Sequence, residues 1–86
     1  MIVRFTQRFE RCYVKLPIEI QKTFEAKLLI MQENMGHPSL RIKKMKGSKG
    51  IYEGSITMKY RFTFEFVEDG IILRNIGKHD AALDNP

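Results

Sequence analysis

The sequence predicts an α+β domain in which two N-terminal helices pack on one face of a twisted antiparallel sheet. The predicted order is strand, helix, helix, then three or four strands. Apolar residues Ile20, Phe24, Leu28, Met31 and Met35 recur at helical spacing. From Lys59 to Val67 the period falls to two, with Tyr60, Phe62, Phe64 and Phe66 on one face and Lys59, Arg61, Thr63 and Glu65 on the other. The Asp69-Gly70 pair, flanked by apolar alternation, signals a tight hairpin.

Each element has a local cause. Ile2 to Phe5 is β-branched and aromatic, as a short strand requires, and Thr6 is placed to cap a helix running to about Lys15 with Phe9, Cys12 or Tyr13, and Leu16 on one stripe. Pro17 has the fixed φ of a first helical turn, so the second helix starts there; Lys27 interrupts its stripe and must lie along the edge. Gly36 and Pro38 end it. Beyond this point Leu40 to Ile42, Ile51 to Thr57, Lys59 to Val67 and Ile71 to Ile76 are candidate strands, with Gly47-Ser48-Lys49-Gly50 a flexible loop among them. If the phenylalanines of the 59–67 strand face the helices, Arg61 projects from the opposite, open face of the sheet.

Eighty-six residues make one domain, 1–86, with a small core; a hydrophobic content of 43% is too high for a disordered chain. The formal charge of +5 favours polyanions or an acidic protein partner. With the single Cys12 there is no intramolecular disulfide, and no apolar run approaches the ~20 residues of a membrane span, so the expected location is the cytoplasm.

Positive charge is concentrated in Arg41-Ile-Lys-Lys-Met-Lys-Gly-Ser-Lys49, five basic residues without an acid. Arg41, Lys43, Lys44, Lys46 and Lys49 suit a phosphate backbone, and the two glycines allow close approach; lysines guarding a sheet edge would read the same way. His79, between Lys78 and Asp80 just after a strand, is placed to act as acid or base near neutral pH, with Asp80 to orient it. His37, before Pro38, serves the turn. The histidines lack a further cysteine or carboxylate at a metal spacing, so no zinc site is expected. Arg61 could pair with Glu53 or Glu65, but an arginine, a basic loop and a histidine are also the parts a phosphodiester-cleaving site needs.

The segments Val3-Arg-Phe-Thr, Lys15-Leu-Pro-Ile-Glu-Ile-Gln, His37-Pro-Ser-Leu, Lys44-Met-Lys-Gly, Tyr60-Arg-Phe-Thr-Phe and Asn75-Ile-Gly-Lys-His-Asp, in this order and spacing, resemble the RelE/ParE superfamily of toxin-antitoxin toxins. The resemblance spans nearly the whole chain and implies a RelE-like fold. It further implies a ribosome-dependent mRNA endonuclease, or, in another branch, a DNA gyrase poison without catalysis. A plain basic nucleic-acid-binding module is the third reading. Arg61 matches the phosphate-stabilising arginine of the RNase branch, and His79 falls where YafQ-like and YoeB-like toxins keep a general-acid histidine. Tyr52 and Gly54 stand where RelE carries lysines, Leu83 replaces a terminal aromatic, and Ser39 stands near the glutamate of YoeB-like toxins. The general base is then Glu53 or one of Lys43, Lys44 and Lys46. The chemistry implied is metal-free cleavage by the RNA's own 2′-hydroxyl, without a small-molecule cofactor, with Arg41, Lys43, Lys44, Lys46, Lys49 and Lys78 binding RNA. The implied partners are mRNA on the ribosome and a small acidic antitoxin.

Overall fold

A computed structural model describes residues 1–86. Its elements are β1 (Ile2–Phe5), α1 (Gln7–Tyr13), α2 (Ile18–Glu33), a single 3-10 turn (Pro38–Leu40), β2 (Lys43–Lys44), β3 (Ile51–Ser55), β4 (Tyr60–Val67), β5 (Gly70–Lys78) and α3 (His79–Asp84). No helix is long and apolar enough to cross a membrane. Thr6 caps α1 as expected, its hydroxyl accepting from Phe9 N at 3.0 Å, and Gln21 Nε2 closes the other end by donating to the carbonyls of Tyr13 and Leu16. Leu40 belongs to the 3-10 turn rather than to a strand, and the edge strand that follows is only Lys43–Lys44.

The five strands lie in the order β1-β5-β4-β3-β2. The sheet is mixed, because β1 joins β5 in parallel while the other pairs are antiparallel. Gly70 makes that junction possible: a Cβ at this position would stand 1.8 Å from the Ile2 carbonyl oxygen. Glu68 and Asp69 form the two-residue turn between β4 and β5, and Arg4 clasps Asp69 at 2.9 and 3.2 Å. Hydrogen bonding to Arg4 holds the Asp69 carboxyl below its ordinary range. Both groups are exposed, so the pair contributes little stability.

The core is a continuous run of aromatic rings. Phe9 meets Phe24 at 5.7 Å, Phe24 meets Phe62 edge-on at 5.2 Å, and Phe62 stacks on Phe64 at 5.8 Å. Phe24 and Met31 are the buried members of the α2 stripe, with Ile20, Leu28 and Met35 packed around them. Lys27 lies along the edge of the stripe as expected, its Nζ donating to the Ser39 carbonyl at 3.0 Å. The alternation in β4 holds for Phe62 and Phe64, both fully buried, but Phe66 is 47% exposed. Its ring is beyond the reach of Phe24 and meets only Tyr52 and Phe64 among the aromatics.

The opposite face of the sheet is not open, contrary to the sequence expectation. α3 and the residues after it run across that face, and Thr63, expected outside, is completely buried there with its hydroxyl donating to the Pro86 carbonyl. Asn75 Nδ2 donates to the Asn85 and Ala81 carbonyls, and Arg74 Nε to that of Pro86. A register shift between Thr63 and Phe64 makes Arg74 the bulged residue and sets it against Glu65 at 2.7 Å on the same face. Periodicity in a strand identifies its two faces but not what covers the second one.

Between β1, α1 and α2, Tyr13 lines an apolar groove of about 450 Å³ together with Phe5, Phe9, Phe24 and Leu28. Its hydroxyl donates to Glu25 Oε2 at 2.5 Å. Burial, reinforced by the neighbouring carboxylate, pushes the phenol up to about 12 from 10.0. The fold thus favours the neutral phenol, so its stabilising share is complete below pH 10 and is lost as pH rises toward 12. In urea unfolding, the stability difference between wild type and Tyr13→Phe is expected to narrow across that interval.

Candidate functional site

The Thr57–Lys59 turn between β3 and β4 organises the site. Thr57 Oγ1 accepts from the backbone N–H groups of Lys59 and Tyr60 at 3.2 and 3.3 Å, a side-chain-stabilised turn. Arg61, half-buried on β4, folds back onto this turn: Nη1 donates to the carbonyls of Thr57, Met58 (2.8 Å) and Tyr60 (3.2 Å). His79 is bound to the same turn, its backbone N–H donating to the Lys59 carbonyl at 2.7 Å. Two residues 18 positions apart in sequence, 61 and 79, are thereby anchored within three residues of each other's supports.

Strand register fixes what surrounds them. Arg61 faces Ser55 on one side and Gly77 on the other, so these three positions share the α3-covered face. Glu53 is opposite Thr63 and therefore diagonal to Arg61, a relation that places Cβ atoms roughly 7 Å apart. His79 follows Lys78, the last paired residue of β5, and opens α3. Arg61 therefore shares its sheet face with the Glu53 carboxylate and its supporting turn with the backbone of His79.

Glu53 is largely buried, and Lys43, its partner across β2 and β3, holds its carboxylate at 3.7 Å. His79 is exposed. Its Nδ1 donates to Asp80 Oδ1 at 3.0 Å, which leaves Nε2 free. Beside it is a shallow depression of about 650 Å³ lined by Met58, Lys59, Lys78, His79, Asp80 and Ala81. Lys78, paired with Tyr60 at the end of β5, brings a further cation to this rim.

Tyr52 and Gly54 are on the other face of β3. Tyr52 stacks on Phe64, and a Cβ at position 54 would stand 2.3 Å from Phe62 Cζ, so neither position presents a side chain beside Arg61. On β3 the neighbours of Arg61 are instead Glu53 and Ser55. Ser39 and His37 serve the 3-10 turn, where the His37 ring accepts from Ser39 N at 3.2 Å. Leu83 is half-buried on α3.

The basic segment divides into two. Arg41 reaches the Thr57–Lys59 turn, with Nη1 3.7 Å from Met58 Sδ. Lys44 is exposed on the β2 edge opposite Tyr52, while Lys46 and Lys49 lie in the exposed loop that joins β3 at Ile51, the far end of that strand from Arg61, roughly 13 Å away along five residues. No group of three or more His, Cys, Asp or Glu side chains comes together as a metal-ligand set. The Thr57–Lys59 anchor and the covering helix α3 were not read from the sequence. The one available signal was Thr57 two residues before Lys59 at a strand break, the spacing of a hydroxyl-capped turn.

No family model and no curated protein matches the sequence. Solved structures do. A chain of the RelB-RelE antitoxin-toxin complex from Methanococcus jannaschii aligns with a TM-score of 0.75 at 24% identity, over 91% of this chain and 92% of that one. YafQ from E. coli strain BL21(DE3) aligns at 0.75 and 12% identity, covering 93% and 94%. A YoeB/ParE toxin from Agrobacterium tumefaciens aligns at 0.76 and 13%, covering 92% and 99%. At these identities the shared property is the architecture, and this chain has the RelE-like toxin fold.

Proposed function

We propose that this protein is the toxin of a toxin-antitoxin pair and acts as a ribosome-dependent mRNA endonuclease. The observation that supports the reading is that one turn anchors both Arg61 and His79, with Glu53 on the Arg61 face of the neighbouring strand. Cleavage of RNA by its own 2′-hydroxyl calls for a base on the attacking side, an acid on the leaving side and positive charge at the phosphorus. Glu53 takes the 2′-hydroxyl proton as O2′ bonds to phosphorus; the bond from phosphorus to O5′ breaks, and His79 Nε2 supplies the proton to that oxygen. The products are a 2′,3′-cyclic phosphate and a 5′-hydroxyl. Arg61 stabilises the pentacoordinate phosphorane. DNA, which lacks the 2′-hydroxyl, is not a substrate, and the scheme requires neither metal nor cofactor.

Lys43, Lys44, Lys46, Lys49 and Lys78 bind the RNA backbone, with Arg41 beside them. The partner is a small acidic antitoxin that covers this basic surface, and the site of action is the cytoplasm. What supports the pairing is the fold shared with toxins solved in antitoxin complexes, RelE with RelB and YafQ with DinJ. The deciding experiment is primer extension on an mRNA translated in a cell-free extract, run beside a gyrase supercoiling assay. New 5′-ends within the translated message are expected. Intact mRNA with inhibited gyrase would transfer the protein to the gyrase-poison branch.

Backbone binding has its own measure. Replacing Lys43, Lys44 and Lys46 together by Ala is expected to weaken ribosome or RNA binding and to reduce its salt slope by about 0.7 to 0.9 for each lost phosphate contact. Lys44 and Lys46 should account for most of the change, because Lys43 is engaged by Glu53. An unchanged slope would remove these lysines from the interface.

A further inference from the structure

Arg41 is the one non-glycine residue whose backbone is left-handed, at φ 49° and ψ 44°. That conformation crowds Cβ against the following carbonyl, so glycine or asparagine ordinarily ends a helical turn in this way. Packing does not call for an arginine here, since the side chain is exposed. The scaffold beneath it is nevertheless fixed. Leu40 is completely buried, the His37 ring caps the 3-10 turn, Lys27 Nζ holds the Ser39 carbonyl, and the Arg41 N–H donates to Pro38 O at 3.2 Å.

The strained backbone aims the guanidinium at the Thr57–Lys59 turn, where it meets the Met58 sulfur at 3.7 Å. A thioether is a weak acceptor, and Met58 is 71% exposed, so this contact does not account for the strain. The same turn holds the Arg61 guanidinium and the His79 backbone. Strain of this kind is retained where it serves a site.

We propose that Arg41 is a second guanidinium of the cleavage site. It closes with Arg61 on the non-bridging oxygens of the phosphate at the cut, exchanging a weak sulfur contact for charge-assisted hydrogen bonds. This rests on the RNase reading above and separates Arg41 from Lys44, Lys46 and Lys49, which hold RNA further along the sheet edge.

The test compares wild type, Arg41→Gly, Arg41→Asn, Arg41→Lys and Arg61→Ala by thermal melting and by mRNA cleavage in a translating extract, with kcat and KM separated. Glycine and asparagine accept the left-handed backbone, so both variants should melt at or above the wild-type temperature, by up to about 5 °C. Their kcat should fall by about 10²-fold while KM and the salt slope change little, the reverse of the lysine triple variant. Arg41→Lys should recover part of the loss, since it keeps the charge but not the fork. Cleavage within about twofold of wild type in Arg41→Gly and Arg41→Asn, alongside an inactive Arg61→Ala, overturns the role of Arg41 and leaves the RNase reading standing. A wild type that leaves mRNA intact overturns both.

Discussion

Arg61→Ala and His79→Gln are each expected to lower mRNA cleavage by ~10²-fold or more while the protein stays folded and binds the ribosome and antitoxin. His79→Gln nearly keeps the size and polarity of the side chain and removes only its capacity to deliver a proton from Nε2. Arg61→Ala removes the charge that meets the phosphorane, and its loss should equal or exceed that of the histidine. Neither substitution threatens the core. Arg61 is bound to three carbonyls of an exposed turn that also has the Thr57 hydroxyl to hold it, and His79 makes its anchoring bond through its backbone N–H. Growth inhibition should fall with cleavage. The measurement is primer extension in a translating extract beside gyrase supercoiling. Full toxicity in both variants, with gyrase inhibited and mRNA intact, would falsify the RNase assignment, because a purely protein-binding inhibitor has no use for a proton donor and a phosphate clamp.

Phe64→Ala is the substitution expected to cost the most stability, about 3 to 5 kcal/mol. Its ring is completely buried and touches Phe62, Tyr52 and Phe66, so truncation opens a void that rigid aromatic neighbours cannot fill. That loss is comparable with the whole stability of a domain this small, roughly 5 to 10 kcal/mol. Phe66→Ala makes the informative contrast. It carries the same residue type on the same strand face, but 47% of it remains in water, and its truncation should cost well under half as much. Urea unfolding of both variants and of Arg61→Ala checks the ranking; equal losses at 64 and 66 would refute this description of the core.

The elements were legible in the sequence because each has a cause within a few residues. The stripe from Ile20 to Met35 can bury itself only as a helix, Thr6 offers the hydroxyl its helix start needs, and Asp69-Gly70 punctuates two alternating runs. Arg61 and His79 stand out as candidates for a similar reason, since one is the sole arginine among the alternating phenylalanines and the other is one of only two histidines. The edge strand departs from its local pattern. Leu40 and Ile42 alternate as a strand would, but the left-handed turn at Arg41 interrupts them, and only Lys43 and Lys44 pair with β3.

By itself, then, the sequence determined the class of fold, the helix and hairpin positions, the core phenylalanines at 62 and 64, and the chemistry on offer, because local periodicity and residue type carry that information. Only the tertiary structure decided that β1 lies parallel beside β5 through the close approach at Gly70, that α3 buries Thr63 and closes the second face of the sheet, and that Glu53 rather than Tyr52 or Gly54 shares a face with Arg61. It alone decided that Arg41, Arg61 and His79 meet at the Thr57–Lys59 turn. These are contacts between segments far apart in the chain. A strand's alternation names its two faces, but which partner covers each face, and in what register, is settled when distant segments compete to bury the same surface.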